Sequence, residues 1–145
     1  MKTKLFFSIC LMLLATSITA QASIPQGTWT VTQITIEKNI DGIIQTSVYN
    51  TPVEGHRFIP FLKGLEVNVE DMVLHYDGWE EISPSYTVSG NYLTLMSEMF
   101  QHPIPYSLSG GVLTLLTTHN YIYNTAAGQV KQITENRTIN LKQQN

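Results

Sequence analysis

Residues 86–96 read YTVSGNYLTLM, and residues 106–116 read YSLSGGVLTLL. Both phrases alternate apolar and polar side chains on either side of a glycine pair or a Gly-Asn pair. Such residues tolerate the positive φ of a two-residue hairpin loop, and period-two alternation is the mark of a half-buried strand. Placing Gly90-Asn91 at the first turn sets Tyr86 opposite Leu95, Thr87 opposite Thr94 and Val88 opposite Leu93. Placing Gly110-Gly111 at the second sets Tyr106 opposite Leu115, Ser107 opposite Thr114 and Leu108 opposite Leu113. Cross-strand partners share a face. Each hairpin therefore presents Tyr, Val or Leu inward and Thr or Ser outward, and a one-residue slip would turn the apolar set to water.

The rest of the chain follows the same rule. Turn candidates recur at Asp41-Gly42, Gly64, Asp77-Gly78 and Gly128. Around Asp77-Gly78 the register pairs Val73 with Ile82 and His75 with Glu80. Extended further, it pairs Val69 with Tyr86, so that this hairpin and the first repeat share a face. The predicted strands are 28–38, 43–49, 65–76, 80–88, 92–97, 104–108, 112–123 and 129–142. Eight antiparallel strands in meander order close naturally into an up-and-down β-barrel, which removes both sheet edges. The expected fold is all-β, a single antiparallel barrel.

The first 22 residues read as an export signal. Lys2 and Lys4 form a basic start, Leu5 to Ile18 an apolar stretch too short for a comfortable membrane span, and Ala20-Gln21-Ala22 a small-x-small cleavage pattern. Cleavage is predicted after Ala22, with Ala20 the alternative, and the product is periplasmic or extracellular. Cys10 is the single cysteine and lies within the apolar stretch, so residues 23–145 form one domain without a disulfide. That domain carries six basic and eleven acidic residues, a net charge of −5. It lacks the basic face a nucleic-acid partner requires, and no second long apolar run predicts an integral membrane span.

Gly27-Thr28-Trp29 opens the first predicted strand. This G-x-W, together with the meander and the Y-x-[VL]-S-G-x-x-L-T-L phrases, resembles the calycin superfamily, and in particular secreted bacterial lipocalin-like domains. The resemblance spans about residues 26–141. It implies that Trp29 packs at the closed end of the barrel, with Arg137 of the last strand laid across it as a structural barrel-floor pair. It also implies non-covalent binding of a small, mainly apolar molecule inside the barrel. The T-D-Y-type motif and disulfide of eukaryotic lipocalins have no counterpart here.

The candidate ligand-binding set is the inward face and the mouth: Tyr86, Val88, Leu93, Leu95, Tyr106, Leu108, Leu113 and Leu115, with Met99 and Phe100. Tyr86 and Tyr106 either aim hydroxyls at a ligand or fill a solid core; an eight-stranded barrel has room for either. The least strand-like stretch, LMSEMFQHPIPY (95–106), carries Pro103 and Pro105, which interrupt ladder bonding. It reads either as a loop packed over the core or as a lip or lid of soft apolar groups at the barrel mouth, with 56–61 as a similar apolar segment. His75 and Glu80 lack the third protein ligand of a catalytic zinc site, so no metal is expected. His119, Tyr121 and Tyr123 alternate along one strand and could face a haem, but they are ordinary on a half-buried strand, and no cofactor is expected. Asn136-Arg137-Thr138 matches a glycosylation sequon inside a strand and is read as coincidence. Glu80 and Glu81 are adjacent, so they point to opposite faces and form no acid–base pair. With no nucleophile motif, the chain reads as a non-enzymatic binding protein. The alternative is a protein-interaction or inhibitor module with a filled barrel, acting through its loops at 53–64 and 96–105.

Overall fold

The computed structural model describes residues 23–50 and 60–145. The predicted signal segment and most of the 53–64 loop lie outside these residues. Ten strands follow one another without a helix among the described residues: β1 (Gly27–Ile40), β2 (Ile43–Tyr49), β3 (Gly64–Val67), β4 (Met72–His75), β5 (Glu80–Ser83), β6 (Tyr86–Ser89), β7 (Tyr92–Leu95), β8 (Ile104–Ser109), β9 (Val112–Asn124) and β10 (Val130–Gln143). All pairings are antiparallel, in the order β5-β4-β3-β1-β10-β9-β8-β7-β6, with β2 added beside β1. The result is a nearly closed up-and-down barrel.

Both doubled phrases form the hairpins their spacing dictates. Tyr86 pairs with Leu95 and Val88 with Leu93; Tyr106 pairs with Leu115 and Leu108 with Leu113. Gly110 and Gly111 have φ of 58° and 74°, a combination that explains why this two-residue turn is built from two glycines.

Two predicted strands are broken. The 65–76 stretch folds back on itself, because Asn68 and Asp71 close a turn through both backbone and side chain. Val69 therefore lies exposed at a turn tip, and Tyr86 pairs with Leu95 instead. The 80–88 stretch breaks at Pro84, which ends β5 after Ser83. That break also changes which face is inward. In the hairpin 72–83, Met72 and Leu74 are buried while Ile82, opposite Val73, is exposed. The Val73–Ile82 and His75–Glu80 pairs form as predicted, but they face outward and do not share the inner face of the first repeat.

β1 carries a bulge between Val31 and Gln33. Bulges bend a strand and increase its twist. Before the bulge β1 pairs with β3, and beyond it with β2, while β10 runs along its whole length. Gly64 permits the β1–β3 approach, since a Cβ there would lie 2.7 Å from the Trp29 carbonyl oxygen.

β5 and β6, the two ends of the sheet, are joined by a seam of side chains. Glu81 accepts bonds from the Glu98 backbone N–H (2.6 Å) and the Ser97 hydroxyl (2.9 Å). Ser83 Oγ accepts from the Met96 backbone N–H (2.9 Å), and the Tyr86 hydroxyl donates to the Asn68 carbonyl (2.8 Å).

Candidate functional site

The residues predicted for the inner face are mostly core. Leu93, Leu95, Tyr106, Leu113, Leu115 and Phe100 are buried in one cluster, and Tyr86, Val88 and Met99 pack against it half-buried. Leu108 differs: it is 40% exposed, because it stands one residue from its turn, past the end of the β7–β8 ladder at Pro105. The Tyr86 hydroxyl is committed to the seam. Burial pushes the Tyr106 phenol above its ordinary pKa. Around Phe100, Met99, Tyr76 and Arg137 the interior leaves a cavity of about 10 Å³, room for roughly one water.

The expected Trp29–Arg137 stack does not form. Trp29 is buried, pairs with Gln143 and donates its indole N–H to the Pro25 carbonyl at 3.0 Å. Arg137 pairs with Ile36, six positions along β10 from Gln143, roughly 20 Å at strand rise. Its guanidinium lies 4.5 Å from the centre of the Phe61 ring and donates to the Pro60 carbonyl at 3.0 Å. Arg137 thus faces inward as its parity predicts, but its aromatic partner is Phe61 rather than Trp29.

Arg137 also anchors a buried charge cluster. Its Nε donates to Glu135 Oε1 at 2.6 Å. The Tyr121 hydroxyl donates to Glu135 Oε2 at 2.9 Å, and Lys38 Nζ lies 3.6 Å from the same oxygen. Burial alone would raise the Glu135 carboxyl; Arg137, Tyr121 and Lys38 outweigh it and hold the group below the usual carboxylate range. Burial, with the Glu135 hydrogen bond and charge, pushes Tyr121 up to about 12. Burial and the Arg137 charge push His119 down. His119 and Tyr121 thus face a carboxylate and a guanidinium, while Tyr123 pairs with Lys131 and is exposed. Among the described residues no cluster of three His, Cys, Asp or Glu side chains could hold a metal ion. Glu135 was legible in the sequence, since it shares the parity of Ile133, Ile139 and Leu141.

The 96–105 loop separates two open grooves. One, about 930 Å³, opens between that loop and β9–β10 where β8 leaves β9, lined by Thr118, Asn120 and Asn136 on the outer parity and by Thr117, His119 and Arg137 on the inner. The β8 ladder ends at Tyr106–Leu115, so β9 beyond Leu115 pairs only with β10 among the described residues. Across this surface the hydroxyls of Thr118 and Thr134 donate to the Oδ1 atoms of Asn136 and Asn120. These bonds hold the two amide planes in place. The second groove, about 760 Å³, follows the seam between Trp79 and Met96. Nothing in the alternating pattern singled out Trp79 or Glu81.

No family model, curated protein or solved structure matches the chain. No helix among the described residues is long and apolar enough to cross a membrane.

Proposed function

We propose that this is an exported, lipocalin-like, non-enzymatic binding protein whose barrel is a filled scaffold and whose 96–105 loop presents the binding surface. Export rests on the Lys2–Ala22 pattern, and the lipocalin-like reading rests on Gly27-x-Trp29 with the up-and-down barrel. The observation that carries the proposal is the contrast in space around one loop. Phe100 and Met99 project into the core and leave about 10 Å³ beside them, while spaces of about 930 and 760 Å³ open on either side of the same segment, the larger reaching in as far as Thr117, His119 and Arg137. A small-molecule pocket is typically ~300–1,000 Å³. A small apolar ligand inside the barrel, the function the resemblance implies, would have to displace Phe100 and Met99.

A photocrosslinking residue at Gln101, in the loop, tests this against the same residue at Ser109, in the distant hairpin. The protein is irradiated in the cells that produce it. A discrete partner adduct at position 101 and none at 109 is expected. Equal labelling at both positions, or adducts at 109 alone, would contradict the loop reading.

A further inference from the structure

The seam groove has a composition that neither the barrel nor the larger groove along β9 and β10 (the rim groove) explains. Trp79 and Trp29 are the chain's two tryptophans; Trp29 is buried and Trp79 is 44% exposed. One face of the Trp79 ring stacks on Tyr76, with centroids 4.2 Å apart and planes 16° from parallel. That stack fixes the indole and leaves its opposite face toward solvent. Beside it the groove presents Ile82 and Met96, which are exposed large apolar groups.

The charges of this groove have one sign. Glu80, Glu81 and Glu98 line it, and among the described residues no lysine or arginine does. The Glu81 oxygens are taken up by Ser97 and the Glu98 backbone. Glu80 meets His75 Nδ1 at 2.9 Å on its outer side. The Glu98 carboxylate has no ion pair among the described residues. A fixed indole face, two available carboxylates and an apolar strip together recognise a cation carried on an apolar stem. A guanidinium or ammonium gains from the ring quadrupole, and acidic surroundings select for it against neutral and anionic competitors.

We propose that the seam groove docks a basic, apolar peptide segment. An arginine or lysine of that segment lies over the open face of Trp79, with Glu80 and Glu98 as its counter-charges, and flanking apolar residues cover Ile82 and Met96. Charge complementarity selects this occupant, since the export product carries a net charge of −5 and the groove itself is acidic. The inference rests on the reading of the 96–105 loop as a binding surface, and names the partner chemistry on one side of it.

The test is a titration of the protein with a capped hexapeptide of alternating leucine and arginine. Two matched peptides replace arginine with uncharged citrulline or with glutamate. Tryptophan fluorescence reads Trp79, because Trp29 is buried, and calorimetry reads the variants. The arginine peptide should shift the emission and bind at least about tenfold more tightly than the citrulline peptide, as expected when both the cation–π contact and the counter-charges are lost. Trp79→Ala should lose this preference. Glu80→Gln with Glu98→Gln should reduce it while leaving the fold intact, since both carboxylates are on the surface. Equal binding of the arginine and citrulline peptides, or no binding of any peptide, would overturn the proposal. Tight arginine-peptide binding that survives these changes but is lost in Asn136→Ala would move the partner to the rim groove. That result would overturn this inference and leave the loop reading standing.

Discussion

Glu135 and Arg137 lie two residues apart on β10, point to the same side and meet at 2.6 Å inside the protein. Neighbours at this spacing share a face of a strand. Both side chains are almost fully buried, so each is the nearest opposite charge that compensates the other, with Tyr121 and Lys38 adding to Glu135 and Pro60 and Phe61 to Arg137. Removing one partner of such a pair typically costs ~3–5 kcal/mol, because a buried charge is left alone. Glu135→Ala should show a loss of that size in urea denaturation. Glu135→Leu combined with Arg137→Met should recover most of it, and the cycle of single and double variants measures the coupling.

Acid should destabilise the fold through two groups with depressed folded-state pKa. Glu135 is held below its ordinary value, so its contribution is complete above the unfolded pKa of ~4.3 and is lost as pH falls through the folded value. His119 is also depressed. Its neutral form is favoured in the fold, so stability begins to fall below the unfolded pKa of ~6.5. His119→Gln should flatten the upper part of the pH–stability curve, and Glu135→Gln the lower part.

The barrel was legible because its determinants are local. Alternation and glycine turns fix which side of Tyr86, Leu93, Tyr106 and Leu115 faces in, and the hairpin partners follow by counting. The structure departs from this reading where the cause lies outside the alternation. The side chains of Asn68 and Asp71 close a turn inside an apparently continuous strand, and Pro84 resets the inward face after it. Arg137 was placed on the correct face, but its height along the barrel depends on the β1–β10 register, which no local pattern encodes. The seam groove joins Trp79 to Met96 and Glu98, residues brought together only when β5 meets the far end of the sheet.

Trp29 fills the end of the barrel next to the β1–β3 contact. Trp29→Ala should cost on the order of 3–5 kcal/mol as a large buried aromatic. Gly64→Ala should be destabilising for a different reason, since its Cβ would press on the Trp29 carbonyl oxygen. Thermal unfolding of both checks this; a Trp29→Ala cost under about 1 kcal/mol would contradict a buried anchor at that end.

Glu81 latches the seam. Glu81→Ala removes the acceptor for the exposed Glu98 N–H and the part-buried Ser97 hydroxyl, with an expected loss of ~0.5–1.5 kcal/mol, since water can replace part of what is lost. Hydrogen exchange should quicken in residues 80–83 and 96–98, while β9 and β10, paired along thirteen positions, should exchange as before.

The central claim is that the barrel is a filled scaffold. Native mass spectrometry of the protein taken from the cells that make it tests this most directly. The account predicts the mass of the polypeptide alone. A stoichiometric small apolar molecule, retained by the wild type and lost in Tyr106→Ala, would contradict it and place the function inside the barrel.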